Sequence, residues 1–286
     1  MLVLLNRIIL TIFISVVSFS AFSEEMNTNY LKTDWSFKGI FGTFDRASLQ
    51  RGYQVYQEVC SGCHSVQHLS YRNLSEKGGP EFSVEEAKAI AAQFEVEDGP
   101  NSDGEMFMRP GRLSDTFVKP YPKVEASTSA NGGAYPPDMS VLTKARKGGA
   151  DYIYSLLLGY EEAPTGFELD EGVYYNKYMP GNKIKMIAPL SDGLVEYSDG
   201  TPSTTAQMAK DVTAFLVWVA EPHLESQHRM GFKSIIYLII LFILVYMSKQ
   251  KVWSRFSSKK EPEEETFDKV ERAVTEYEGE DPKTFK

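Results

Sequence analysis

The stretch Val59-Cys60-Ser61-Gly62-Cys63-His64-Ser65 contains the only two cysteines in a chain of 286 residues. Two thiols at this spacing suit a disulfide or redox pair, half of a zinc site, or the attachment point of a c-type haem. A disulfide leaves His64 unexplained. Zinc is short of ligands, because the chain has four histidines and no second CxxC or HxxxH pair beyond His64 and His68. Haem attachment uses every position: the thiols of Cys60 and Cys63 form thioethers with the two vinyl groups, and the imidazole of His64 is presented to the iron. The stretch therefore reads as the site of one covalently bound haem c.

Upstream, Leu49, Tyr53, Tyr56 and Val59 fall at helical spacing, so an amphipathic helix runs into the attachment turn. Gly52 on that helix permits the close approach of a second helix, or is simply tolerated. Far downstream, Ser203 or Thr204 caps a helix that carries Met208, Val212, Phe215, Leu216 and Val219 on one face. Ser83-Val84-Glu85-Glu86 is a capping box opening a third helix to about residue 94. Residues 152–158 form a fourth.

The chain ends bound this body. Residues 1–23 carry Arg7, an apolar run over 8–17 and small residues before Glu24, the pattern of a secretory signal peptide. A second apolar run over 231–248 spans about 27 Å as a helix, close to the hydrocarbon thickness of a bilayer. Lys249, Lys251, Arg255, Lys259 and Lys260 follow it, with Trp253 as an interface anchor. By the positive-inside rule that flank is cytoplasmic and the body lies across the membrane. The expected organisation is signal peptide 1–23, periplasmic haem domain 24–230, transmembrane anchor 231–248, and a cytoplasmic tail 249–286. From residue 261 the tail holds ten acidic and four basic residues. It is expected to be mostly disordered, with a short helix around 268–277.

The second iron ligand is less legible. His68 is too near His64 to reach across the ring, and His223 and His228 stand just before the span. Methionine is the other common axial donor. Met106, Met108, Met139, Met179, Met186 and Met208 are candidates. Met208 fits a helix face, as core methionines do. Met179 and Met186 both lie in a turn-rich stretch suited to a ligand loop, and spacing alone separates them little.

Six ordered stretches carry a resemblance. They are VCSGCHSVQHLSYRNL, EDGPNSDGEMFMRPGRLSDTFVKPYP, ANGGAYPPDMS, KARKGGADYIYSLLLGY, APTGFEL and DGTPSTTAQMAKDVTAFLVWVAEP. In this order, over residues 35–253, the chain resembles the cytochrome c1 family, the haem c subunits of ubiquinol–cytochrome c reductase. The resemblance implies a mainly α, class I cytochrome c-like haem domain with long loop insertions and one C-terminal transmembrane helix. It implies Met186, in IKMIAPL, as the second metal ligand beside His64. It also places Arg146 and Tyr152 by the haem, the arginine against a propionate. Ile187-Ala188-Pro189 is less proline-rich than many relatives, and the acidic tail lies outside the usual pattern.

The function implied is one-electron relay from a Rieske iron–sulfur protein to cytochrome c, with no bond-making active site on this chain. The implied partners are cytochrome b, the Rieske protein, cytochrome c and membrane lipid, in a dimeric complex of an energy-transducing membrane, and no nucleic acid. The acidic stretches 95–105 and 168–171 suit the steering of a basic cytochrome c, or are ordinary solvated surface. Two rivals remain: a free-standing, membrane-tethered carrier serving an oxidase, and a haem-based gas sensor.

Overall fold

The computed structural model describes residues 29–257 and 262–278. The signal-peptide stretch lies outside them. Two compact units are present: residues 29–35 with Arg46–Glu221, and Ser36–Asp45 with the chain from Pro222 onward.

In the first unit the element order is α1 (Arg46–Val55), a π-helical turn (Tyr56–Cys60), a 3-10 turn (Tyr71–Ser75), α2 (Val84–Ala91), β1 (Glu95–Asp98), β2 (Phe107–Pro110), α3 (Val124–Ala130), α4 (Ala150–Leu158), β3 (Tyr174–Tyr175), β4 (Lys183–Ile184) and α5 (Thr205–Ala220). β1 and β2 pair antiparallel, Glu95 opposite Pro110, and β3 pairs β4 with Tyr174 opposite Ile184. The architecture is mainly helical, with long irregular connections.

The crossing of α1 on α5 is the frame of this unit. A Cβ built on Gly52 falls 2.1 Å from the Asp211 carbonyl oxygen and 2.7 Å from Phe215 Cβ, so only glycine allows this approach. The same crossing buries the Asp211 carboxylate. It accepts from Ser48 Oγ at 2.7 Å, Arg51 Nε at 2.9 Å and Gln207 Nε2 at 2.9 Å. A charge withdrawn from water is tolerable only when paired and hydrogen-bonded in this way. Around it, Tyr53 and Tyr56 lie 5.8 and 5.7 Å from Phe215, and Tyr71 stacks on Phe117 at 4.7 Å.

Thr204 caps α5 by accepting from the Gln207 N–H, and Ser83 with Glu86 closes the capping box of α2. α2 ends at Ala91 rather than near residue 94. The chain has to turn there into β1, and Phe94 instead stacks on Tyr71 at 5.6 Å. α4 also packs on α5 and is tied to the N-terminal segment: Trp35 Nε1 donates to Asp151 Oδ1 at 2.6 Å, and Leu31 N to Ser155 Oγ at 2.8 Å.

In the second unit α6 runs from Leu224 to Ser257, 34 residues, so the apolar run is the middle of a longer helix. Every side chain from 235 to 247 is at least 40% exposed. Apolar on all sides over this middle stretch and covered by none of the described residues, the helix is long and apolar enough to cross a membrane. The tail departs from expectation: α7 spans Pro262–Glu278, well beyond a short helix at 268–277. Phe267, Val270 and Val274 recur along it at helical spacing.

Candidate haem-attachment site

α1 does not continue regularly into the cysteines. It widens into the π-helical turn, closed by Ser61 N–H donating to the Tyr56 carbonyl at 2.8 Å and by Ser61 Oγ donating to Gln57 O at 2.7 Å. The amides of Cys63 and His64 then both donate to Cys60 O, at 3.1 and 2.9 Å. Cys60, Cys63 and His64, at i, i+3 and i+4, are thereby gathered on one side of a single turn. Such widened turns concentrate at functional sites. Both cysteines are free thiols, Cys60 half-buried and Cys63 exposed. Burial, with a smaller push from Cys63, raises the Cys60 thiol to about 12.

A strap from a distant part of the chain fixes this turn. His64 Nδ1 lies 2.8 Å from the carbonyl oxygen of Pro137. As the donor in that bond, Nδ1 carries the ring proton, which leaves the lone pair of Nε2 available to a metal. Burial lowers the proton affinity of the His64 ring, outweighing the opposite pull of the Pro137 carbonyl and Asp138. The neutral imidazole that a metal requires is thus favoured. Next along the strap, Asp138 Oδ2 accepts from Ser65 Oγ at 2.7 Å and Gln67 N at 3.2 Å. Ser140 Oγ accepts from Gln67 N at 2.8 Å, and Met139 N donates to Ser65 O at 2.8 Å. Burial raises the Asp138 carboxyl, but hydrogen bonds from Ser140, Ser65 and Gln67 outweigh it and hold the group below the usual carboxylate range.

The methionines separate by environment. Met208 is fully buried in α5 and Met139 is buried on the strap, bonded to the residue after His64. Met106 and Met108 are each 55% exposed at the β1–β2 hairpin. Met179 and Met186 remain, both half-buried in the segment that holds β3 and β4. Tyr152 Oη lies 3.7 Å from Met179 Sδ, whereas Met186 is held by its backbone, its carbonyl accepting from Tyr160 Oη at 3.1 Å. Asn176 stitches this segment to α4. Its Nδ2 donates to Leu156 O at 2.8 Å, and its Oδ1 accepts from the amides of Tyr178 and Met179 at 3.0 and 3.2 Å.

Arg146 and Tyr152 come together. Burial raises the Tyr152 hydroxyl above its ordinary value, and the adjacent Arg146, as charge and hydrogen-bond donor, pulls it back. The Arg146 head is exposed in the turn that precedes α4 and also donates to Ala145 O at 3.1 Å. Tyr30 closes the other edge of Tyr152 at 5.4 Å. Pro137, Asp138, Ser140, Tyr160 and Asn176 are the residues that sequence reading missed as positioning groups. The stretch ANGGAYPPDMS carries the first three in plain view, but nothing local says that its carbonyls face a histidine 73 positions earlier.

The donor set fits a c-type haem: two free thiols and one imidazole on a single turn, with the imidazole already committed to the tautomer an iron requires. This is the arrangement of a mainly helical protein suited to a covalent haem, with one helix long and apolar enough to cross a membrane. Residues 35–256 match the model of the Cytochrome C1 family. The chain is 49% identical over 239 residues to "Cytochrome b/c1" of Bradyrhizobium diazoefficiens, covering 77% of this chain and 35% of that protein. It is 50% identical over 226 residues to "Cytochrome c1-2, heme protein, mitochondrial" of Solanum tuberosum, covering 79% and 86%. It is 46% identical over 228 residues to "Cytochrome b-c1 complex catalytic subunit, mitochondrial" of Candida albicans, covering 79% and 78%. The chain belongs to the cytochrome c1 family.

Proposed function

We propose that this chain is the electron-transferring subunit of a cytochrome bc1 complex, taking single electrons from a Rieske iron–sulfur protein and delivering them to cytochrome c. The observation that carries this is the Cys60-Cys63-His64 turn locked to Pro137 within a chain of the cytochrome c1 family. One haem c, attached through thioethers to Cys60 and Cys63, supplies a one-electron iron couple. His64 Nε2 and the Met186 thioether would hold the iron, and Arg146 would serve a propionate with Tyr152 beside it.

The protein's own contribution is orientation and tuning. The Pro137 carbonyl fixes the His64 tautomer, the Asp138 network keeps the attachment turn from flexing, and a thioether ligand from Met186 would raise the potential of the bound iron. No group on the chain is assigned to making or breaking bonds in a substrate. Exposed Glu95 and Glu97 alternate along one face of β1, while Asp98 is paired with Arg109. The first two, rather than Asp98, are therefore the field that meets a basic cytochrome c. The domain expectation is retained: residues 24–230 on the outer, periplasmic side and 249–286 in the cytoplasm, supported by the basic residues that follow the apolar run. The test is purification from membranes. Co-purification with a multi-span cytochrome b and a Rieske protein is expected. A chain isolated alone with intact haem would favour a tethered carrier, and gas binding at the ferrous iron would favour a sensor.

A further inference from the structure

Ile40 and Phe41 are 72% and 71% exposed, at the tip of a turn that is otherwise tightly built. Gly42 N donates to Gly39 O at 3.1 Å and Thr43 N to Ser36 O at 3.0 Å, closing the turn. Phe37 and Phe44 pack against each other at its base, 5.2 Å between ring centroids, and both are buried. A Cβ on Gly42 falls 2.3 Å from the Phe37 carbonyl atoms, so the backbone here has no room for another residue. The apolar pair is therefore held outward by a rigid base.

The turn is also fastened to the start of α6. Glu225 Oε1 accepts from Phe44 N at 2.9 Å, and His228 Nδ1 lies 3.1 Å from Gly42 O. One helical turn further on, the Phe41 ring meets Phe232 edge-on at 5.8 Å. Phe232 is 50% exposed and stands at the head of the apolar run. Phe41 thus shares the depth at which α6 enters the hydrocarbon. Arg229 and Lys233, both exposed, flank Phe232 on the helix, at the level where cations meet lipid phosphates. The apolar surface of the turn is continuous with that of the membrane helix.

We propose that the turn over residues 36–45 is a membrane wedge: Ile40 and Phe41 sink into the headgroup–acyl boundary of the leaflet by which α6 enters the bilayer. The lipid is the occupant because the patch extends the lipid-facing surface of α6 and is rimmed by cations suited to phosphate. The rigid base lets two side chains enter with little ordering cost. This inference rests on α6 spanning the membrane.

The test uses the full chain in its native membranes, with Phe41→p-benzoylphenylalanine, irradiation, and mass analysis of the peptide containing residue 41. A phospholipid adduct is expected at this position and none at Glu171, which is exposed in the first unit. An adduct with another protein chain, or recovery of the residue 41 peptide without lipid, overturns the wedge. Alkaline carbonate washing distinguishes the two failures: release of the chain sinks the membrane span itself, whereas retention without a lipid adduct sinks only the wedge. Should the Phe41 variant lose its haem spectrum, Ile40→p-benzoylphenylalanine makes the same test, with the same outcomes.

Discussion

His64 Nδ1 and the carbonyl oxygen of Pro137 stand 2.8 Å apart, joining parts of the chain 73 residues distant in sequence. A backbone carbonyl cannot be removed by substitution, so the strap is tested through its neighbour. Asp138→Asn keeps the shape but discards the charge that gathers Ser65, Gln67 and Ser140. The Asp138 carboxyl lies below its ordinary value of 3.8 in the folded chain. Its stabilising contribution is therefore complete above the unfolded value and is lost as pH falls through the lower folded value. Acid titration followed by the haem absorbance should show wild-type protein losing stability below about pH 4, with a shallower acid slope for Asp138→Asn. Identical slopes would remove Asp138 from the account.

The ligand assignment separates two methionines seven positions apart. Met186→Leu removes an iron ligand in the proposed site and should lower the midpoint potential sharply and abolish reductase turnover. Met179→Leu loses only the 3.7 Å contact with Tyr152 and should leave the potential near wild type. Redox titration of the two variants reversing this order would transfer the role to Met179.

Gly52 tests the frame. Gly52→Ala puts a methyl 2.1 Å from the Asp211 carbonyl oxygen, backbone against backbone, where no side chain can swing aside. A loss of about 3 kcal/mol is expected from overpacking of this kind. Thermal unfolding followed by circular dichroism measures it, and an unchanged melting temperature would mean that the helices part freely.

Electrostatic docking is tested by salt. Cytochrome c reduction should slow as ionic strength rises, because exposed charges are screened within about 10 Å at 0.1 M. Glu95→Gln with Glu97→Gln should slow it at low salt while leaving the haem spectrum unchanged. A rate that ignores both salt and these substitutions would leave the acidic face as ordinary solvated surface.

Much of this was legible in the sequence because the determinants are local or periodic. Ser83 and the pair Ser203–Thr204 announce their helices and the apolar run announces α6, whereas Gly52 reads as close approach or simple tolerance, and only folding brings Asp211 against it. Cys60, Cys63 and His64 point to haem attachment by their spacing together with the shortage of other ligands in the chain. What stayed hidden depends on long-range contact. The Pro137 carbonyl has no side-chain signature, and Asn176 and Tyr160 act through backbone groups brought near only by folding. The widening at Tyr56–Cys60 is invisible to helical periodicity, which places Tyr56 and Val59 on a regular helix. Compositional reasoning understated α7, because its abundance of acidic residues reads as disorder even where Phe267, Val270 and Val274 keep a helical period.

The central claim is that Cys60, Cys63 and His64 hold a covalent haem, and extraction tests it most directly. Purified chain is treated with acidified acetone, which removes non-covalent haem, and the precipitated polypeptide is examined as its pyridine haemochrome. The account predicts one haem retained per chain with a c-type spectrum, reduced to a single-thioether form in Cys60→Ala or Cys63→Ala. Haem that leaves with the solvent, or a polypeptide without a haemochrome spectrum, would contradict it.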